Sequence, residues 1–244
     1  MAFTRRSFLA GFISCPLCAA AAARAEDAQW DYEDVHSWGA HSTNEACAFG
    51  GEQSPVDLTG AIKAKIRAPA LSWKPQAFTV VNNGHTIQAD AAPGSFATSE
   101  NGKFELKQFH FHTPSEHAID GKREAMEAHF VHAKEGGDLL VLGVLMRAGG
   151  ANKVFSAIMA AAPRTKGEAA LKKPADATAL LPKNRHFFRY EGSLTTPPCS
   201  EVVNWYVFST PIAVAASDIE IFKGIFPMNA RPLQPLRRRM LLTD

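Results

Sequence analysis

The sequence carries little net charge, and its small excess of positive charge is confined to the first 25 residues. Those residues hold three of the 26 basic side chains and none of the 24 acidic ones, so residues 26–244 have 23 basic against 24 acidic residues, a net charge of −1. A surface with this balance offers no basic field to a phosphate backbone. The composition therefore argues against a nucleic-acid partner.

Long hydrophobic runs are also scarce, and the clear example lies at the N-terminus, over residues 8–23. This run is shorter than the ~20 residues that span a bilayer. It follows a twin-arginine pair, Arg5-Arg6, and ends in Ala23-Arg24-Ala25, which is typical of a cleavage site. We therefore predict a signal peptide over residues 1–25, export by the twin-arginine route to the periplasm or the medium, and no stable membrane insertion.

Cysteine is rare, and two of the four cysteines, Cys15 and Cys18, fall inside the predicted signal. Only Cys47 and Cys199 remain in residues 26–244, where no internal repeat or low-complexity linker breaks the chain and one large domain is expected. An exported protein meets oxidising conditions. A disulfide between Cys47 and Cys199 is thus the preferred interpretation, and two free buried thiols are the alternative.

Several catalytic signatures are missing. The chain has no Gly-x-Ser-x-Gly elbow, which argues against a nucleophilic hydrolase of that type. Pro198-Cys199 resembles the start of a zinc-deaminase motif, but Val202 stands where that motif needs its second cysteine. Strands and helices do not alternate along the chain, so a doubly wound fold is not expected.

The hydrophobic pattern predicts a sheet-dominated α+β domain, with a large, mostly antiparallel sheet and short peripheral helices. Helical spacing is found over residues 151–162 and 217–225. Extended segments rich in β-branched and aromatic residues are bounded by turn residues. These segments are residues 78–81, 85–89, 105–112, 127–133, 139–146, 187–191 and 202–208.

Histidine is concentrated in residues 108–132, which hold five of the nine in the chain. In a strand, His110 and His112 point to one face while the neighbouring phenylalanines point to the other. An antiparallel neighbour would bring His129 opposite this pair. Three neutral imidazoles with an open fourth position are typical of a catalytic zinc site. Ordinary hydrogen-bonded histidines are the alternative, and the pair alone chooses neither a metal nor a fold.

Five motifs in order, spread over residues 30–240, resemble the α-class carbonic anhydrases. They are Gln53-Ser54-Pro55-Val56, Asn82-Asn83-Gly84-His85, the metal region from Gln108 to His132, Gly192-Ser193-Leu194-Thr195-Thr196-Pro197-Pro198-Cys199, and Asn229-x-Arg231-Pro232-x-Gln234-Pro235. The resemblance, to bacterial exported members, implies a catalytic domain over residues 26–244 built on a large, twisted central sheet. It also implies zinc-dependent, reversible hydration of carbon dioxide to bicarbonate and a proton, by a zinc-bound hydroxide and a histidine proton shuttle.

The same resemblance assigns roles to individual residues. His110, His112 and His129 would bind Zn²⁺, and Gln108 and Glu127 would accept hydrogen bonds from the outer nitrogens of His110 and His129. Thr195 would donate to Glu116 and orient the hydroxide. The partners would be carbon dioxide and bicarbonate, on a monomer or a homodimer.

The remaining assignments concern the cleft. His85 would be the proton shuttle, and Tyr32 and Asn83 would order the water that links it to the metal. Thr196 would help to hold bicarbonate. The other histidines, His36, His41, His117, His132 and His186, are interpreted as structural or surface residues. The apolar wall for carbon dioxide would comprise Val131, Val141, Leu194, Val203 and Trp205.

Two other functions are compatible with parts of the sequence. His110-x-His112-x3-Glu116 has the spacing of a cupin motif, in which Glu116 would bind iron or manganese. Phe104 and Arg123 occupy positions where that motif wants glycine. A binding module on the same fold is the second alternative, but such relatives usually lose a zinc histidine and none is lost here.

Overall fold

The computed structural model describes residues 30–244, and the predicted signal peptide lies outside them. The helices are α1 (Ala46–Phe49), α2 (Lys153–Ala161) and α3 (Ala216–Lys223), with 3-10 turns at Val35–Ala40, Ser42–Asn44 and Ala177–Leu180. The strands are β1 (Ile62–Lys63), β2 (Ala70–Ser72), β3 (Phe78–Asn82), β4 (Ile87–Ala91), β5 (Phe96–Ser99), β6 (Gly102–His112), β7 (Met126–Ala133), β8 (Leu139–Ala148), β9 (Gly167–Ala170), β10 (Phe187–Gly192), β11 (Val203–Val214) and β12 (Leu242–Thr243).

All described strands belong to one sheet, in the order β1-β12-β10-β11-β8-β7-β6-β4-β3-β9, with β5 paired to β6 and β2 to β5. Only the pairings β1–β12 and β8–β11 are parallel among them. The predicted large, mostly antiparallel sheet with short helices is therefore confirmed. No helix within residues 30–244 is long and apolar enough to cross a membrane.

The two faces of the sheet follow from the alternation of side chains along each strand. On β6, Phe109 and Phe111 enter the main core, where the ring of Phe111 lies 5.0 Å from that of Phe155 on α2 and 6.4 Å from that of Phe222 on α3. His110 and His112, at the alternate positions, face away from these helices. Helix α2 starts at Asn152, whose side chain accepts the N–H groups of Val154 and Phe155.

The strand predicted over residues 85–89 starts later, at Ile87, so the prediction that His85 begins a strand is wrong. Asn83 Oδ1 accepts the N–H groups of both His85 and Thr86 at 2.9 Å, which closes a local turn. Gly84 has a φ of +94° in this turn, a value that glycine adopts without strain. His85 thus projects from a turn between β3 and β4.

The last predicted strand, residues 202–208, extends much further than predicted, to Val214. Pro211 broke the sequence pattern because proline cannot donate a ladder hydrogen bond. The structure accommodates it with a shift of register between Phe208 and Ile212. The short strands β1, β2, β5, β9 and β12 were not predicted.

The predicted disulfide is confirmed between Cys47 and Cys199, whose Cα atoms are 5.0 Å apart. It joins helix α1 to the loop that follows β10. This loop carries Leu194, Thr195 and Thr196, so the disulfide ties a segment with predicted functional residues to the N-terminal part of the domain.

His132, at the end of β7, is fully buried and uses both ring nitrogens. Its Nδ1–H donates to the carbonyl oxygens of Phe130 and Leu140 at 3.0 and 3.1 Å, and its Nε2 accepts from the indole N–H of Trp73 at 3.1 Å. A second ring proton would face the indole donor. Burial lowers the pKa of His132 to about 4, although the two carbonyl groups act in the opposite direction.

This low pKa predicts an acid-labile fold. His132 binds a proton near pH 6.5 when unfolded but only near pH 4 when folded, so its contribution to stability is complete above pH 6.5 and is lost as the pH falls towards 4. The loss is about 3 kcal/mol at most. We expect urea unfolding of the metal-free, oxidised protein to show that the free energy of unfolding falls less steeply between pH 6.5 and pH 4 in His132→Gln than in the parent.

His36→Gln is the matched control, because His36 is exposed. It is expected to keep the parental dependence of the free energy of unfolding on pH. An equally steep decline in His132→Gln would show that other groups cause the acid lability.

Candidate metal centre

Three histidines meet where β6 and β7 pair. The antiparallel register sets His110 directly opposite His129, as the sequence predicted, and sets His112 opposite Glu127. The ring centroids of His112 and His129 are 4.6 Å apart, and each of the three histidines offers a nitrogen within 4.8 Å of the others. His112 and His129 are buried and His110 is partly buried.

The outer nitrogen of each ring faces an acceptor. His110 Nδ1 is hydrogen-bonded to Gln108 Oε1 at 2.8 Å, whereas His129 Nε2 lies 3.0 Å from Glu127 Oε1 without the alignment of a hydrogen bond. His112 Nδ1 donates to the backbone carbonyl of Asn229 at 2.7 Å. An acceptor at one ring nitrogen holds the proton there, so the other nitrogen keeps its lone pair for a metal. The sequence predicted Gln108 and Glu127 as acceptors for the histidine rings. It did not predict this role for Asn229, which begins the C-terminal motif.

The electrostatics of the cluster favour a cation. Burial, followed by the neighbouring histidines, lowers the pKa of His110 well below its ordinary value, and burial also lowers that of His112. Burial would lower the pKa of His129 too, but Glu127 and Glu116 raise it above its ordinary value. The two carboxylates therefore stabilise positive charge beside His129, whether a proton or a metal ion supplies it.

Glu127 is itself held on several sides. Its carboxylate accepts from the backbone N–H and the Nδ1–H of His117, both at 2.8 Å. Burial opposes ionisation of Glu127, yet His117 and His129 hold its pKa well below the ordinary value. Gly143, opposite His129 on β8, leaves the necessary space, since a Cβ there would lie 2.8 Å from Glu127 Oε1. His117 is fully buried, and its Nε2 lies 2.7 Å from the Tyr190 hydroxyl, which agrees with the interpretation of His117 as a structural residue.

Glu116 and Thr195 are both buried, and the carboxylate of Glu116 lies beside His112 and His129. Glu116 Oε1 accepts the backbone N–H of Arg231 at 2.8 Å, a contact that the sequence did not reveal. Its Oε2 lies 3.5 Å from His112 Nε2, and neither atom has a hydrogen-bond partner anywhere in residues 30–244, Thr195 included. A buried imidazole nitrogen and a buried carboxylate oxygen without partners fit a site that takes a metal and its attached ligands.

An apolar wall stands next to the histidines. The register sets Val141 on β8 between Val131 on β7 and Trp205 on β11, and the ring of Trp205 lies 4.8 Å from that of His129. Val203 and Leu194 contact the same hydrophobic cluster. Thr196 is partly buried in the loop after Thr195. The structure therefore brings the five predicted wall residues together.

His85 is half-buried and its ring stacks on the indole of Trp30, with centroids 3.8 Å apart and an interplanar angle of 9°. Burial, followed by the charge of Lys166, lowers the pKa of His85, while Asp31 opposes this. Burial and the charge of Glu116 raise the pKa of Tyr32 well above its ordinary value, so its hydroxyl keeps its proton. Within the described residues, His85 makes no ring contact with the three clustered histidines.

Comparison with known proteins gives one family. Residues 33–244 match the family model described as eukaryotic-type carbonic anhydrase. A carbonic anhydrase of Neisseria gonorrhoeae is 42% identical over 228 residues, covering 91% of this chain and 90% of that protein. One from a Nostoc species is 40% identical over 236 residues, covering 92% of this chain and 89% of that protein.

Solved structures agree with the sequence comparison. The α-carbonic anhydrase from Thermovibrio ammonificans, in complex with the inhibitor sulfanilamide, superposes with a TM-score of 0.85 at 38% identity, covering 88% of this chain and 98% of that chain. The cupin alternative is wrong, because the fold and the family model both differ from it. The chain belongs to the α-class carbonic anhydrases.

Proposed function

We propose that this carbonic anhydrase hydrates carbon dioxide reversibly, with a zinc ion held by His110, His112 and His129. The convergence of three imidazoles, each with its outer nitrogen facing an acceptor, carries the proposal. When bound, zinc supplies Lewis-acid chemistry that activates a water molecule for attack. Gln108, Glu127 and the carbonyl of Asn229 hold the three rings in the orientation that ligation requires.

The neighbouring residues bind and orient the reactants. Carbon dioxide is small and uncharged, so it suits the apolar wall formed by Val131, Val141, Val203, Leu194 and Trp205. A threonine hydroxyl donates one proton and accepts others. If Thr195 donates to the free Oε2 of Glu116, it accepts from the attacking oxygen and thereby directs a lone pair at carbon dioxide. Thr196, the next residue of the same loop, helps to bind bicarbonate in this proposal.

Turnover also requires a proton to leave the site. An imidazole with a pKa near neutrality is suited to this, and the pKa of His85 is lowered only by partial burial and by Lys166. His85 therefore takes the proton through intervening water and releases it at the mouth of the cleft. Tyr32 and Asn83 order that water, with Tyr32 as a hydroxyl donor.

The location of the protein forms part of the proposal. The disulfide between Cys47 and Cys199 is consistent with an oxidising compartment. Together with the signal predicted over residues 1–25, it supports export to the periplasm or the medium by the twin-arginine route. The oligomeric state, a monomer or a homodimer, remains a prediction from the sequence.

Removal of one proposed ligand tests the metal site. His129→Ala leaves two imidazoles, so we expect the purified variant to contain no zinc and to lose carbon dioxide hydration in stopped-flow assays. His41→Ala, at an exposed position, is expected to match the parent in both. Full activity of His129→Ala without zinc would contradict the proposal, and zinc in the parent without hydration would favour a binding module.

The proton-transfer role makes a separate prediction. We expect His85→Ala to lower kcat at least about 10-fold in dilute buffer while kcat/KM changes little, because only proton release is impaired. Imidazole in solution should restore kcat. In the parent, kcat should rise with pH through a midpoint below 6.5, since His85 must be neutral to accept a proton and its pKa is lowered. A loss that persists in concentrated imidazole would exclude the shuttle.

A further inference from the structure

Asn229 is fully buried in the segment after α3, and it forms hydrogen bonds with His112 and with the residues on either side of it, Phe111 and Thr113. Its carbonyl accepts from His112 Nδ1 at 2.7 Å. Its backbone N–H donates to the carbonyl of Thr113 at 3.0 Å, and its Oδ1 accepts the N–H of Thr113 at 2.7 Å. These three contacts fix the end of β6, where a proposed zinc ligand is located.

The side-chain amide of Asn229 also contacts the turn that carries His85. An amide nitrogen has two protons to donate. Asn229 Nδ2 donates one to the carbonyl of Phe111 and one to the carbonyl of His85, both at 3.0 Å. Phe111 directly precedes His112, whereas His85 lies between β3 and β4. Within the described residues, His85 itself has no other hydrogen bond towards the metal-binding strand. Its neighbour Thr86 contacts the same strand separately, donating its hydroxyl to the carbonyl of Phe111 and accepting the Phe111 N–H.

We propose that the Asn229 side chain is a positioning residue that holds the proton-transferring His85 in a fixed relation to His112. This inference rests on the proposed function. The other hydrogen bond of the His85 backbone is local, to Asn83, so Asn229 makes the long-range hydrogen bond of His85 itself, next to the one that the Thr86 hydroxyl makes. A misplacement of about 1 Å can cost a catalytic step about 100-fold, so a connection of this kind affects proton transfer directly.

Asn229→Asp tests the proposal with little change of size. It keeps Oδ1 for Thr113 but places an oxygen, which cannot donate as a carboxylate, against the two carbonyl groups. We expect kcat in dilute buffer to fall about 10-fold with a much smaller change in kcat/KM, and imidazole to restore it. Zinc affinity, measured by competition with a chelator, should fall about 10-fold. Asn229→Ser provides a smaller variant with the same expected direction.

The control is Asn152→Asp at the start of α2. Asn152 also donates its amide to a carbonyl, that of Ala179, at 2.8 Å. The same chemical change there keeps the oxygen that caps α2 and is expected to leave kcat, imidazole response and zinc affinity at parental values. A kinetic effect at this position equal to that at Asn229 would mean that the added negative charge, and not the position of Asn229, lowers kcat.

A double variant separates positioning from a structural role. If Asn229 acts through His85, combining Asn229→Asp with His85→Ala lowers kcat in dilute buffer no further than His85→Ala alone. Multiplied losses would overturn the proposal, and so would parental kcat in both Asn229 variants. Absence of hydration in the parent, or failure of imidazole to rescue His85→Ala, would instead contradict the proposed function.

A measurement on the parental holoenzyme does not depend on any variant. Both Nδ2 protons of Asn229 are buried and hydrogen-bonded, so their NMR signals should exchange with solvent at least about 100-fold more slowly than those of an exposed asparagine amide. Rapid exchange of either proton would show that the connection to His85 or Phe111 is not maintained in solution.

Discussion

The register between β6 and β7 is the constraint on which the rest of the site depends. It sets His110 opposite His129 and, on the other face, Phe109 opposite Phe130. A slip of one residue in either strand would turn its histidines towards α2 and α3 and its phenylalanines towards the cleft. Burial of the phenylalanine rings therefore fixes the positions of the imidazoles. The proposed metal site therefore relies on the same packing that stabilises the sheet.

Contacts from distant parts of the chain fix the polar side chains on the sheet face that carries the histidines. Arg231 is buried, and its guanidinium donates to the side chain of Gln53 and to the carbonyls of Ser54 and Cys47, while its backbone N–H donates to Glu116. Gln53 in turn donates to the carbonyl of Cys199. A buried charge must be compensated in this way. The arrangement links the disulfide, the loop that carries Thr195 and the carboxylate of Glu116.

Charge and apolar surface are separated around the three histidines in a way that suits the proposed chemistry. Glu116 and Glu127 lie beside the imidazoles, where they stabilise a cation, and the valines and Trp205 form the adjacent uncharged wall. His85 lies apart, against Trp30 at a half-buried position. The proposed steps of binding, attack and proton removal would thus take place in different environments around one sheet.

The sequence by itself determined the features that depend on local pattern. Alternation along residues 105–112 and 127–133 predicted two strands with histidines on one face, and the scarcity of cysteine predicted the pair Cys47 and Cys199. Only the tertiary structure revealed Asn229 as the acceptor for His112, because the two are 117 residues apart. Gly143, beside the Glu127 carboxylate, and the short strands were also missed. Strands of two to four residues are too short to show a clear alternation, and a space left for a carboxylate leaves no periodic trace.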